Sequence, residues 1–202
     1  MYTPKHFMES RPEALKVLLD AYPLGTLVTH SDAGLSADHI PFEYAPPSEG
    51  APFGTLRAHV ARANPLWQLE NAEVMVVFQG HDAYISPSLY EEKPISGKVV
   101  PTWNYAVVHA HGALRAIEDP VWLLALLERL TSRHEAARAR PWAVADAPPA
   151  YIDTMLRAIV GIEIVLTRLE GKSKLSQNRS LADRQAIAAE IPGLFGTLAP
   201  ES

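Results

Sequence analysis

The 202-residue sequence contains no cysteine, which excludes disulfide bonds, thiol catalysis and every zinc site that needs a thiolate ligand. It also lacks a long hydrophobic run. Ile159–Leu166 is interrupted by Gly161 and Glu163 and is far shorter than the ~20 residues of a membrane helix. No apolar segment typical of a secretory signal follows Met1. We therefore expect a cytoplasmic protein that has no membrane partner.

Positive charge is not in excess, because 18 lysines and arginines stand against 23 aspartates and glutamates, a net charge of −5. This balance argues against a nucleic-acid-binding protein whose whole surface is basic. A local basic patch that binds nucleic acid is still compatible with it. Arg129–Arg140 has four arginines against one glutamate, and Arg168–Arg184 has five basic residues against two acidic ones. Each segment can contact DNA phosphates, a flavin phosphate or only solvent.

Short β-rich segments dominate the chain and lie at 25–30, 37–44, 54–60, 73–86, 99–117 and 159–169. Helical patterns are fewer and lie at 10–22, 63–71, 119–137, 151–158 and 180–190. This distribution predicts a mainly β fold with peripheral helices, of the α+β class, and favours a barrel over alternating βαβ units. Gly171 is expected to turn the chain out of the last strand.

The segment from Gly54 to Pro65 is a candidate phosphate site. Thr55, Arg57 and His59 alternate along a predicted strand, so their side chains share one face. Arg62 and the helix start at Asn64 follow directly. Guanidinium, imidazole, hydroxyl and helix N–H groups bind phosphate, and the alternative is an ordinary strand end with solvated charges.

Two other patterns suggest ligand contacts. Trp103 and Tyr105 lie on one strand face with Asn104 on the other, a set that can line a planar heterocycle or pack in a core or interface. His109 and His111 share a strand face as a metal pair would, but we favour a polar strand face satisfied by hydrogen bonds. No metal site is therefore predicted.

Long ordered motifs give the sequence a resemblance to the PaiB family of FMN-binding negative transcriptional regulators. They include MYTPKHF, PLGTLVTH, GTLRAHVARANPLW, VFQGHDAYISPS, GKVVPTWNYAVVHAHG, AIVGIEI and LEGKSKLSQNRS. The resemblance implies the FMN-binding split β-barrel, which is related to pyridoxamine-phosphate oxidases and flavin reductases. It also implies a homodimer that builds two flavin sites at the interface of its protomers.

The resemblance assigns the FMN phosphate to Arg57, His59 and Arg62. The full set of residues predicted to bind the cofactor is Thr55, Arg57, His59, Arg62, Asn64, Trp103, Asn104, Lys172 and Lys174. The two lysines share one face of the last strand. Together with Gln177 and Arg179 they are expected to point toward FMN or a nucleic acid, and the alternative is a solvated strand end. The oxidase branch has an arginine and a lysine where this chain has Asp38-His39-Ile40-Pro41-Phe42, so pyridoxamine-phosphate oxidation is not expected.

We expect residues 1–170 to form the split barrel, with inserted helices around 119–158. Residues 171–202 are expected to form a strand and helix appendage that packs on the barrel or on the dimer partner. The expected function is transcriptional regulation of the PaiB type, with FMN bound and DNA contacted through a local basic patch. The alternative is a flavin-dependent oxidoreductase or flavin reductase-like enzyme whose regulatory effect is indirect.

Overall fold

The structure, a computed structural model, describes residues 1–32, 34–69 and 71–194. Its strands are β1 (Met8–Glu9), β2 (Leu24–Ser31), β3 (Gly34–Pro41), β4 (Glu43–Ala45), β5 (Thr55–Ala61), β6 (Glu73–Ile85), β7 (Thr102–Ile117) and β8 (Ile159–Lys174). Its α-helices are α1 (Pro12–Ala21), α2 (Glu92–Ile95), α3 (Pro120–Glu135), α4 (Pro149–Arg157) and α5 (Leu181–Glu190). In these residues no helix has the length and apolar character needed to cross a membrane.

The strands form one sheet in the order β3-β2-β6-β7-β8-β5-β4, and β1 pairs with β8. The pairs β1–β8, β2–β3, β4–β5 and β5–β8 are antiparallel. The predicted α+β class, mainly antiparallel sheet with peripheral helices, is confirmed. The helix predicted at 63–71 is shorter than expected, a 3-10 turn over Pro65–Gln68 that Asn64 caps by accepting the Leu66 N–H.

The chain divides into two compact units. In the described residues the first unit comprises 1–22, 77–110 and 169–194, and the second comprises 23–32, 34–69, 71–76 and 111–168. In the second unit, β5 buries Leu56, Ala58 and Val60 at alternate positions, as strand geometry requires. The remaining face of β5 bears Thr55, Arg57 and His59, so the predicted alternation is confirmed.

Strand β8 continues through Gly171 to Lys174, so the turn predicted at Gly171 is wrong. Glu9 lies opposite Gly171 in the β1–β8 pair, and α1 packs beside it. A Cβ at this position would lie 2.3 Å from Leu15 Cδ2 and 2.6 Å from the Glu9 carbonyl oxygen. Glycine is therefore present because two elements approach the strand closely.

Gly171→Ala should lower the free energy of unfolding by about 1–3 kcal/mol, because the added methyl group collides with backbone as well as side-chain atoms. Urea unfolding followed by circular dichroism measures the change. Gly80→Ala is the matched control in the same unit, since its Cβ would find its nearest atoms at 3.4 Å, an ordinary contact. Equal losses in the two variants would contradict the close-approach explanation.

Candidate functional site

Arg57, the central residue of the predicted phosphate site, lies between two carboxylates. The strand register places Glu43 of β4 and Glu163 of β8 opposite it, one on each side. Arg57 Nε donates to Glu163 Oε2 at 3.2 Å, and its Nη1 lies 4.0 Å from Glu43 Oε2. A phosphate at Arg57 would have to compete with both carboxylates.

Glu43 also binds an arginine of α3. Arg129 donates to its two oxygens, from Nε at 2.7 Å and from Nη2 at 2.9 Å. This bidentate pair with Glu43 raises the pKa of Arg129 above its ordinary value. The two arginines and two glutamates at this strand face balance each other in charge, so the cluster has no excess positive charge for an anion.

Arg62 is likewise engaged within the protein. Its guanidinium donates to Glu118 Oε2 at 2.5 Å and to the carbonyl oxygens of Arg157 at 2.9 Å and Ile159 at 3.2 Å. It also lies over the Trp67 ring, 5.8 Å from the centroid. These contacts hold the residue after β5 against the chain where α4 ends and β8 begins.

The other members of the predicted phosphate site have separate surroundings. Thr55 is buried, and the Asn64 side-chain amide donates to Asp38 Oδ1 at 3.0 Å. His59 lines a pocket beside α3, and Arg62 lines a different pocket. The five residues thus occupy one strand and its continuation, but Arg57, Arg62 and Asn64 each have acidic partners.

The first unit contains the other predicted cofactor residues. The ammonium group of Lys172, which is buried, donates to the Tyr2 carbonyl oxygen at 3.2 Å and lies 5.0 Å from the centroid of the Tyr105 ring. Lys174 Nζ donates to the Trp103 carbonyl oxygen at 2.8 Å and to the Thr102 hydroxyl. The structure therefore brings Lys174 to the β7 segment that contains Trp103 and Asn104.

A cavity of 220 Å³ opens beside Lys174. We call it the Lys174 cavity, and its polar lining consists of Thr102, Asn104, Lys174, Ser176, Asn178 and Arg179. Arg179 extends over the Tyr90 ring, with its guanidinium carbon 4.2 Å from the centroid. In the described part of the chain, neither Lys174 nor Arg179 has a carboxylate partner.

A buried side-chain pair forms the floor of the Lys174 cavity. Asn104, whose exposed fraction is 0%, donates from Nδ2 to Ser176 Oγ at 2.9 Å and accepts from the same hydroxyl at 3.1 Å. Ser176 has a φ of 61°, in the left-handed region that non-glycine residues rarely adopt. Such a backbone strain persists only where the surrounding contacts hold it, and it is frequent at functional sites.

Sequence reasoning placed Asn104 and Lys174 in the cofactor site and directed Arg179 toward FMN or a nucleic acid, but it did not include Thr102, Ser176 or Asn178. The signal for Ser176 and Asn178 was the dense polar run Lys-Leu-Ser-Gln-Asn-Arg at 174–179, a few residues after the last predicted strand. Trp103 itself is 53% exposed and meets Tyr84, 51% exposed, in an edge-to-face contact with ring centroids 6.0 Å apart. Two accessible aromatic side chains therefore belong to the same unit as the cavity.

Comparison with known proteins identifies the family. Residues 1–168 match the family model described as "Putative FMN-binding domain". This chain belongs to that family of FMN-binding domains, and its cofactor is FMN. The match ends before Lys172, so the Lys174 cavity combines residues inside the matched segment with residues after it.

Two curated relatives align with almost the whole chain. An uncharacterized protein of Emericella nidulans is 34% identical over 96% of this chain and 91% of its own length. The protease synthase and sporulation protein PAI 2 of Bacillus subtilis is 31% identical over 95% of this chain and 89% of its own length. The PaiB resemblance inferred from the sequence motifs is thereby confirmed.

Solved structures agree with the fold assignment. The flavocytochrome Anf3 of Azotobacter vinelandii has a TM-score of 0.59 at 15% identity, over 85% of this chain and 72% of its own. The FAD and haem binding protein of Mycobacterium smegmatis has a TM-score of 0.58 at 19% identity, over 89% of this chain and 78% of its own. The predicted flavin-binding split-barrel fold is confirmed.

The half-buried position of His59 has a consequence that can be measured. Burial lowers the pKa of His59 below its ordinary value of 6.5, so the folded protein binds this proton more weakly than the unfolded chain does. The free energy of unfolding should therefore fall as the pH decreases below about 6.5. Urea unfolding at several pH values from 7.5 to 5 measures this dependence.

His59→Gln should weaken the dependence, because glutamine does not titrate. His30→Gln, at an exposed histidine of the same unit, is the matched control and should leave the dependence in place. An unchanged pH profile in the His59 variant would show that His59 does not contribute.

Proposed function

We propose that the protein holds FMN with its phosphate group in the Lys174 cavity. Lys174 and Arg179 supply two positive charges that no described carboxylate neutralises, and Thr102, Ser176 and Asn178 add hydroxyl and amide groups. Charged hydrogen bonds from such groups are the usual means of binding phosphate. The unneutralised charge at the cavity is the observation that supports this assignment over the charge-balanced face at Arg57.

The size of the cavity supports the same assignment. Its 220 Å³ is below the about 300–1,000 Å³ of pockets that enclose a drug-sized ligand, so it suits one end of FMN rather than the whole molecule. The exposed aromatic surfaces of Trp103 and Tyr84 are suited to contact the flavin ring. When bound, FMN supplies the redox chemistry, while the side chains of the protein bind and orient it.

Lys174→Ala and Arg179→Ala should each raise the dissociation constant of FMN about 10- to 100-fold, the equivalent of one charged hydrogen bond. Riboflavin, which lacks the phosphate, should bind the variants and the unaltered protein alike. Quenching of flavin fluorescence on titration measures both constants. Arg140→Ala, at an exposed arginine outside the cavity, is the control and should change neither constant.

The test also separates the two candidate phosphate sites. If Arg57→Ala abolishes the preference for FMN over riboflavin while Lys174→Ala does not, the phosphate lies at the β5 face and the proposal is wrong. Equal weakening of FMN and riboflavin in the Lys174 variant would likewise contradict a phosphate contact.

We propose as a second candidate that the protein is a homodimeric negative transcriptional regulator of the PaiB type. The PaiB resemblance of the sequence motifs supports this function, and the relative named for protease synthesis and sporulation is similar over 95% of this chain. Two arginines of the basic segment 129–140 are paired with glutamates, which limits the positive charge that can contact DNA. Arg129 is bound to Glu43, and Arg138 donates to Glu135 at 2.9 Å. Regulation would then depend on a small basic surface repeated by two-fold symmetry.

Binding to the DNA upstream of the protein's own gene should weaken with salt, with a shallow log–log slope of a few units at most. Arg140→Ala should reduce the slope by about one unit if this exposed arginine contacts a phosphate. Electrophoretic mobility shift at several salt concentrations measures the slope, and sedimentation of the same sample should show a dimer. A monomer, or no binding at low salt, would contradict regulation by direct contact.

Rapid reduction of bound FMN by a nicotinamide cofactor would favour the flavin-dependent oxidoreductase instead.

A further inference from the structure

The second unit has a pocket of 330 Å³ between β5 and α3 that the FMN proposal does not use. Residues from β3, β5, α3 and the loop after α3 line it. The aliphatic wall comes from Leu127 and Leu130, and the aromatic wall is Trp142, which is 46% exposed. An accessible indole beside aliphatic side chains is a surface on which a planar ring can stack.

His59 is the polar group at the strand side of this pocket. Its Nδ1 is buried, and the His59 side chain forms no hydrogen bond with the described residues, so Nε2 is the ring nitrogen left for a ligand. Burial lowers the pKa of His59, so at neutral pH the ring is uncharged, with one nitrogen as donor and the other as acceptor.

The remaining polar residues of the pocket determine what charge a bound ligand can have. Thr131 offers a hydroxyl, while His134 and Glu135 are the other titratable groups facing it. Glu135 already binds Arg138 Nε at 2.9 Å and accepts from the Trp142 backbone N–H at 3.1 Å, so its negative charge already has partners in the protein. No lysine or arginine is among the described lining residues, so the lining offers no permanent positive charge to a phosphate or carboxylate ligand.

We propose that this pocket binds an uncharged aromatic heterocycle that bears a ring N–H group. The ring stacks on Trp142 and packs on Leu127 and Leu130, and the N–H donates to the imidazole of His59. At 330 Å³ the pocket is at the lower end of the range for small-molecule sites, which suits a ligand of one or two fused rings. This site is separate in its residues and in its chemistry from the phosphate-binding Lys174 cavity.

Isothermal titration of the FMN-loaded protein with indole tests the proposal. We expect saturable binding with a dissociation constant of about 1 mM or lower. Trp142→Ala and His59→Ala should each weaken it roughly tenfold or more, since one removes the stacking surface and the other the hydrogen-bond partner. His30→Ala, at an exposed histidine of the same unit, should have no effect.

Three results would overturn the proposal. One is the absence of indole binding to the unaltered protein at 5 mM, about fivefold above the expected limit. Another is equal binding of indole by the unaltered protein and by Trp142→Ala. This variant should fold normally, because the Trp142 side chain is exposed and does not fill the core. The third is displacement of indole by added FMN in the cofactor-free protein, which would make the pocket part of the flavin site. Loss of FMN binding in the Lys174 variant with indole binding intact would show that the two sites are independent.

Discussion

The buried hydrogen bonds between Asn104 and Ser176 are the constraint on which the proposed cofactor site depends. They join the start of β7 to the segment after β8, residues far apart in the sequence, and leave no exposed surface on the amide. Ser176 adopts a left-handed backbone conformation in this contact, so the chain turns there and brings Asn178 and Arg179 to the same cavity as Lys174. The pair therefore helps to hold the two positive charges in a defined position relative to each other.

Charge compensation explains why similar basic residues have different roles. Arg57 has glutamates as neighbours on both adjacent strands, and one of them also binds Arg129. Such pairs stabilise local structure at most modestly, but they occupy the hydrogen-bonding capacity of the guanidinium groups. Lys174 instead donates to a carbonyl oxygen and a hydroxyl, which are uncharged, so no carboxylate compensates its charge at the cavity. Counting charges along the sequence does not distinguish these situations.

Local patterns were sufficient for much of the fold. The alternation of polar residues from Thr55 to His59 predicted β5, whose other face buries Leu56 and Ala58. The β-rich segment 73–86 predicted β6. Gly171 was misinterpreted as a turn, because the sequence does not show that β1 and α1 pack closely against β8 there. Glycine has the same appearance in a sequence whether it serves a turn or a close approach.

The candidate site was harder to predict, because its partners are distant in the sequence. Glu163 lies 106 residues from Arg57, and only the antiparallel register of β5 and β8 places them side by side. The alternation of Thr55, Arg57 and His59 was correctly inferred, but their neighbours were not. Asn104 and Lys174 were found from separate local patterns, and the cavity that unites them depends on the backbone conformation of Ser176, which no local pattern indicated.

A crystal structure of the FMN-loaded protein tests the central claim most directly, because it locates the phosphorus atom. We expect phosphate oxygens within hydrogen-bond distance, about 2.7–3.2 Å, of Lys174 Nζ and the Arg179 guanidinium, with Asn104 and Ser176 still paired beside them. A phosphate bound instead to Arg57 or Arg62, with their glutamate partners displaced, would contradict it.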